Sequence, residues 1–432
     1  MERKIEESLL SWKNDPDRLP LLLQGARQVG KTHALLSFGK RHYKNVAYFS
    51  MEEAKELSAV FERDLAPERI VRELAARRGL TILPGDTLLI FDEIQACEQA
   101  LTSLKYFAER APQYHVTAAG SLLGVAIKRE KFSFPVGKVD MLHLSPMDFE
   151  EFLWAMGRRE LCGLIREAYE GFTPMSLHNT ATDLYKTYLA VGGMPRAVLE
   201  YADKQDFDFV TAVLKTLNDS YIADMAKYAT PQETARIMAA WASVPAQLAK
   251  ENHKFQYKII RTGARANDYE TALDWLKAAG MIHKCVNVTE CKLPLSAYAQ
   301  NGTFKVYMAD TGLLCSKSDI PPNAVLHTPH TFNGFKGALA ENYICQALTA
   351  NGITPYYWTS PGKAEVDFVF QEKSGNIIPL EAKSAENVRS KSLRSYRDIY
   401  KPAYSIRVSA KNFGFENGIK SVPLYAVFCL KA

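Results

Sequence analysis

The chain has 432 residues, 47% of them hydrophobic and 23% charged, so it is globular in composition and too long for one ordinary core; two to four domains are expected. A formal charge of +5 is compatible with nucleic acid without requiring it, and no apolar run reaches the roughly 20 residues that span a bilayer. The charged start Met1-Glu-Arg-Lys-Ile-Glu-Glu7 does not read as a secretory signal, and seven scattered cysteines without a C-x-x-C pair (Cys285 and Cys291 lie closest) suggest neither a disulfide framework nor a zinc ribbon; a cytoplasmic protein is expected.

The first strong signal in chain order is Gly25-Ala26-Arg27-Gln28-Val29-Gly30-Lys31-Thr32, a complete G-x-x-x-x-G-K-[ST] phosphate-binding loop. It follows the apolar run Leu19–Gln24 and precedes a helix-compatible stretch from Thr32 to Lys40, which is the strand-turn-helix context the loop requires. Gly25 and Gly30 permit the backbone to turn successive N–H groups toward phosphate oxygens. Lys31 is then placed for the β- and γ-phosphates and Thr32 for Mg²⁺. Arg27 either touches phosphate or faces solvent.

Asn45–Ser50 reads as the next strand. Thr87–Phe91 is a continuous apolar run of the kind a buried parallel strand shows, and it ends in Asp92-Glu93. Asp92 is suited to hold Mg²⁺ through its water shell, and Glu93 to polarise an attacking water. Tyr114–Ala119 follows a helical segment over 98–110, and Val139–Leu144 closes the series. Strands alternating with helices predict a parallel, doubly wound sheet. Ser121, just past the fourth strand, is either a γ-phosphate sensor or a helix cap. No arginine finger is assignable.

From Ser145 to about Tyr228 the pattern is helical. Pro146 suits a first turn, Phe149, Phe152 and Leu153 share a face, and Val191-Gly-Gly-Met-Pro195 breaks the run. That break reads either as a structural turn or as a lid element bringing Arg196 to phosphate. Three helical segments (233–243, 256–262 and 269–279) then precede a strand at Gly280, the order of a winged helix-turn-helix. Its third helix carries Asp268, Glu270 and Asp274, so a packing module competes with a DNA reader.

In the C-terminal third, Lys305–Leu314 reads as a strand ending in a turn, and a helix from Phe335 carries Glu341. Adjacent strands 365–370 and 377–383 carry Asp367 and Glu381-Ala-Lys383. Residues two apart on a strand share a face, so Glu381 and Lys383 project together. Beside Asp367 and Glu341 they form a set able to bind Mg²⁺ and neutralise a scissile phosphate. This is the D…ExK arrangement, and it resembles that of the restriction-endonuclease-like superfamily. Residues 383–411 hold eight Lys or Arg interleaved with Tyr396, Tyr400 and Tyr404, either a phosphate-tracking strip with stacking partners or a solvated basic helix.

Taken in order, these segments resemble a family of prokaryotic ATP-binding proteins with an AAA-type domain and a restriction-endonuclease-like C-terminal domain of unknown function. The landmarks are Gly25–Thr32, Leu88–Gln95, Gly120-Ser121, Ser145–Phe152, Gly192–Pro195, Asp310–Leu313, Gly337…Glu341, Glu365–Asp367 and Glu381–Lys383. One position departs: the family usually has Gly-Arg before the fifth strand, where this chain has Gly137-Lys138, and lysine lacks the bidentate fork.

The resemblance implies an α/β fold: an AAA-like P-loop domain at 1–150, a helical lid-like segment at 151–230, a winged-helix-like connector at 231–300 and an α/β restriction-endonuclease-like domain at 301–432. The expected function is Mg²⁺-dependent ATP hydrolysis coupled to movement of the C-terminal region. The alternatives are a nucleotide-switched binding protein with a silent recognition module, or an ATP-gated nuclease. Expected partners are ATP, with DNA or RNA, a protein partner or a second copy left open, and no membrane.

Overall fold

The computed structural model describes residues 1–53, 55–121, 134–250, 254–360, 364–383 and 391–431. The chain divides into two compact units, one formed by 2–145 with 278–280, the other by 146–277 and 281–432 together with residue 1.

In the first unit, β1 (Leu21–Gln24), β2 (Asn45–Ser50), β3 (Thr87–Asp92), β4 (His115–Gly120) and β5 (Asp140–His143) form a sheet in the order β2-β3-β4-β1-β5. Every pairing is parallel. Parallel neighbours need crossovers, and the helices supply them. The pleat sorts each strand onto two faces. A Cβ on Gly39, in the helix Lys31–His42, would meet Val46 and Leu88, so that helix covers the face they share. Ala47, Phe49, Leu89 and Phe91 point the other way, into a core with Val60, Phe61, Ile70, Leu104 and Phe107. The helices Lys55–Glu62, Pro67–Arg78 and Glu98–Arg110 supply those partners. The chain leaves β1 for the far edge, returns through β3 and β4 to β1, then adds β5 beyond it. That reversal opens a crevice at the carboxyl ends of β1, β3 and β4.

The second unit begins with helices. Asp148 caps the helix Phe149–Ala155, accepting from the Glu151 amide at 2.9 Å while its own amide donates to Glu151 Oε2 at 3.2 Å. Pro146 therefore lies outside the helix: the start is set where a carboxylate can receive the first free N–H groups. The helices Arg159–Gly171, His178–Val191, Pro195–Lys204, Phe207–Tyr228 and Pro231–Leu248 follow, the last opened by a Thr230/Glu233 capping box.

Three distant turns interlock here. The Gly193 amide donates to Asp310 Oδ2 at 2.6 Å, and the Met147 amide donates to the Gly193 carbonyl at 2.7 Å. A Cβ on Gly193 would lie 1.9 Å from the Met147 oxygen, and one on Gly312 2.4 Å from the Val191 oxygen. Only glycine permits these approaches. The Tyr188 hydroxyl donates to the Met147 carbonyl at 2.7 Å and accepts from Gln346 at 2.9 Å. The glycines of the Gly192–Pro195 break thus pack as a structural turn. Asp310 also accepts from the Leu313 amide at 2.9 Å and caps the helix Thr311–Lys317, so within the segment read as a strand ending in a turn the strand ends at Met308 and the turn opens a helix.

A mixed eight-stranded sheet completes the unit. Its strands are β6 (Ile282–Val288), β7 (Ala299–Met308), β8 (Tyr356–Thr359), β9 (Glu365–Gln371), β10 (Ile377–Ala382), β11 (Ser405–Ser409), β12 (Gly414–Glu416) and β13 (Ile419–Pro423), in the order β12-β13-β11-β10-β9-β8-β6-β7. β6 pairs antiparallel with β7 and parallel with β8. The boundary expected at 300/301 consequently falls inside β7, and the regions expected on either side of it share one sheet. Three helices (Pro231–Leu248, Tyr257–Ile260 and Ala266–Ala278) precede β6, as expected from the residues.

Candidate nucleotide-binding site

The phosphate loop leaves β1 through backbone that side chains rarely adopt. Gly25, Gln28 and Gly30 have φ of 152°, 63° and 93°, and a Cβ on Gly25 would lie 2.2 Å from the Leu144 oxygen. Gly30 is the N-cap of the helix Lys31–His42, whose first N–H groups and dipole face the loop. Lys31 is buried, and its ammonium donates to the carbonyls of Gly25 at 3.0 Å and Ala26 at 2.8 Å. Burial, with Arg27 nearby, pushes its pKa down to about 8 against the opposing pull of Glu93 and Asp92. A lysine so desolvated is strongly stabilised by any anion brought to the loop.

Thr32 Oγ1 donates to Asp92 Oδ2 at 2.7 Å. The same carboxylate accepts from the Tyr48 hydroxyl at 2.9 Å and, through Oδ1, from the Glu93 amide at 3.0 Å. Glu93 adopts φ of 48°, so the chain turns sharply past the strand end. Its Oε2 accepts from Gln95 Nε2 and from Ser121 Oγ, the latter at 3.4 Å. The crevice therefore gathers Lys31, Thr32, Asp92, Glu93 and Ser121 around the loop. Lys138, the departing position, pairs with Glu109 at 3.1 Å.

Residues 17–153 match the family described as AAA domain, 182–324 match a domain of unknown function (DUF8612), and 336–427 match a second one (DUF4143). The first unit is of the AAA type, and the chain ends in a domain of unknown function. Several solved structures are similar at low identity. The Walker-type ATPase PABY2304 of Pyrococcus abyssi is 16% identical over 73% of this chain and 95% of its own, with a TM-score of 0.47. The Aeropyrum pernix ORC1 protein in complex with DNA is 13% identical over 75% and 92%, with a TM-score of 0.31. The Thermotoga maritima RuvB Holliday junction branch migration motor is 14% identical over 68% and 91%, with a TM-score of 0.31. No curated protein matches the chain significantly.

Three side chains of the AAA-type domain that the sequence did not single out support this site. Tyr48 reaches Asp92 because β2 lies beside β3, with Ser50 opposite Asp92. Gln95 holds Glu93 from the turn that follows it. The Arg3 guanidinium donates to the Val29 carbonyl at 2.9 Å and the Ser145 carbonyl at 2.7 Å, fastening the phosphate loop to the exit from β5. Only Gln95, two residues from Glu93, carried a local signal.

The C-terminal residues Glu341, Asp367, Glu381 and Lys383 lie within electrostatic reach of one another, and Lys305, which the sequence did not single out, joins them. β9 and β10 are antiparallel neighbours, and the Ala382 amide donates to Asp367 Oδ2 at 2.8 Å. Lys383 pairs with Glu381 at 2.9 Å. Lys305 on β7, wholly buried, pairs with Glu365 at 2.7 Å and Glu341 at 3.7 Å, and the Tyr307 hydroxyl donates to Glu341 at 3.0 Å. Burial works against the Lys305 charge, but Glu341, Glu365 and Asp367 hold its pKa well above the ordinary value. Burial and the neighbouring Glu341 raise the Asp367 carboxyl, opposed by Lys305, Lys383 and the Ala382 amide. Among the described residues no group of three or more His, Cys, Asp or Glu is placed to hold a metal ion. All seven cysteines are buried and none is in a disulfide, and among the described residues no helix is long and apolar enough to cross a membrane.

In the basic strip the packing of the tyrosines speaks against the stacking part of the first reading. Tyr396 is fully buried and packs with Tyr400 against Trp358, with ring centroids 5.3 Å and 5.7 Å from the tryptophan. Neither ring is therefore available to stack on a base. Arg389 lies outside the described residues.

Proposed function

We propose that the chain binds ATP with Mg²⁺ at the phosphate loop and hydrolyses it, within the domain assigned to residues 1–150. The observation that carries this reading is the Thr32–Asp92 hydrogen bond of 2.7 Å, which brings a hydroxyl and a carboxylate oxygen together beside the loop. Such a pair fits Mg²⁺, which takes one or two protein oxygens and keeps several waters. Bound there, Mg²⁺ supplies charge neutralisation for the phosphates. Lys31 exchanges the Gly25 and Ala26 carbonyls for β- and γ-phosphate oxygens, and the N–H groups of residues 25–32 cradle the same anion. Glu93 orients the attacking water, with Gln95 and Ser121 holding one of its oxygens. Ser121 faces the γ-phosphate. Hydrolysis then drives movement of the attached C-terminal region.

Glu93→Gln tests the assignment. ATP binding should survive while turnover falls on the order of 10²-fold or more. Unchanged turnover would remove Glu93 from its role.

For the C-terminal region we infer a catalytically silent recognition module in preference to an ATP-gated nuclease. The ion pairs of Lys305 with Glu365 and Glu341, close to Asp367, support this, because a resident ammonium already supplies the positive charge that those carboxylates require. Wild type and Asp367→Ala should be indistinguishable on plasmid and single-stranded DNA in Mg²⁺ or Mn²⁺. Cleavage lost in Asp367→Ala would restore the nuclease reading. Seven buried cysteines outside any disulfide favour a reducing compartment such as the cytoplasm.

A further inference from the structure

A groove of about 930 Å³ opens between the helix Lys391–Tyr400 and the strands β11 and β13. Five cations line it, Lys391, Arg394, Arg397, Lys401 and Arg407, against one carboxylate, Asp398. Like charges gathered around a concavity repel one another, and the arrangement is relieved by an opposite charge. Among the described residues that relief is missing. Among the described residues none of the five is in an ion pair, and only Arg397 has a hydrogen-bond partner, the Asn417 carbonyl at 2.6 Å. Arg407 Nε, on the central strand β11, is shielded from solvent without any partner. A buried donor without an acceptor costs stability unless a ligand supplies one. Lys391, Arg394 and Lys401 stand exposed along the rim.

Three of the five are arginines, whose planar forks match phosphate oxygens. The chemistry asked for is therefore a polyanion of repeated phosphates. The three tyrosines of this segment decide its form. Tyr396 and Tyr400 are packed against Trp358, while Tyr404 donates its hydroxyl to Glu372 and lies beneath Lys420, 3.6 Å from the ring centroid. No stacking platform faces the groove, so unpaired bases gain nothing there. We propose that this groove binds the sugar–phosphate backbone of duplex nucleic acid, through charge and without reading sequence.

The test uses the full chain and a fluorescent DNA duplex of about 20 bp, two helical turns. Wild type binds with an affinity that falls steeply between about 50 and 200 mM salt. The double variant Arg394→Glu/Lys401→Glu, at exposed positions, loses more than about tenfold in affinity and shows a shallower salt slope, by about 1 for each contact removed. Its circular dichroism and unfolding temperature match wild type. Lys31→Ala binds duplex as wild type does, since the groove does not depend on the nucleotide reading. Unchanged duplex affinity in the double variant overturns the proposal. So does equal binding of single strands of the same length, or displacement of duplex by polyglutamate at equal charge, which would mark an acidic protein partner.

Discussion

The Thr32 hydroxyl meets the Asp92 carboxylate at 2.7 Å although Thr32 opens the helix that follows β1 while Asp92 ends β3, and β4 separates those two strands. The loop must curl across the end of β4 for this, and the helix beginning at Lys31 holds it there. Asp92→Asn keeps the shape and removes the charge. We expect its ATP affinity to fall at least about tenfold in Mg²⁺ and to match wild type in EDTA, as titration calorimetry can show. Equal affinity with Mg²⁺ would detach Asp92 from the metal.

Gly193→Ala and Gly163→Ala should move stability in opposite directions. The first places a Cβ 1.9 Å from the Met147 oxygen, where backbone cannot yield cheaply, and should cost more than about 3 kcal/mol. The second lies exposed inside the helix Arg159–Gly171 with open space around it, and should gain up to about 1 kcal/mol. Thermal unfolding of the two variants reads both signs.

Removing the Lys305 ammonium should leave the partly buried Glu341 and Glu365 without that ion-pair partner. Lys305→Met is expected to lose about 3–5 kcal/mol near pH 7. Burial and Glu341 already raise the Asp367 carboxyl, and without the opposing cation it rises further above its unfolded value. The folded state then binds more protons, so the deficit should shrink as pH falls. Denaturant unfolding between pH 5 and 8 checks this, and a pH-independent deficit would mean lost packing alone.

Acid should weaken the first unit through His115. Burial lowers its pKa to about 4, with Arg18 and Lys13 acting in the same direction, and its Nδ1 lies 2.6 Å from the Tyr43 hydroxyl. The folded pKa lies below the ordinary 6.5, so the unfolded chain binds the proton first. Stability is full above about 6.5 and is lost as pH falls toward 4, by roughly 1–2 kcal/mol after solvent screening. His115→Gln should flatten that part of the pH profile; an unchanged slope would assign it to other groups.

The legible parts of the sequence were those in which chemistry and spacing are local. The octet Gly25–Thr32, the apolar strand ending at Asp92 and the i, i+2 pair Glu381 and Lys383 could each be read within a few residues. Lys305 could not, because its partners Glu341 and Glu365 lie far along the chain and meet it only through strand order. Asp310 was hidden at the end of an apolar run, although Asp-Thr-Gly-Leu is also a helix start. Leu393, Tyr396 and Tyr400 recur at helical spacing, which marks a packed stripe, and reading the tyrosines as stacking partners overlooked that period.

The pairing of β6 with β7 bears on how the protein can be cut. A fragment beginning at residue 301 would carry most of β7 stripped of β6, the strand beside it, leaving a raw sheet edge with unsatisfied amides and carbonyls. It would also sever Lys305 from the strand that positions it opposite Cys285. Proteolysis that respects the protein's own seams should spare 281–308 as one piece, and recombinant halves divided there should self-associate.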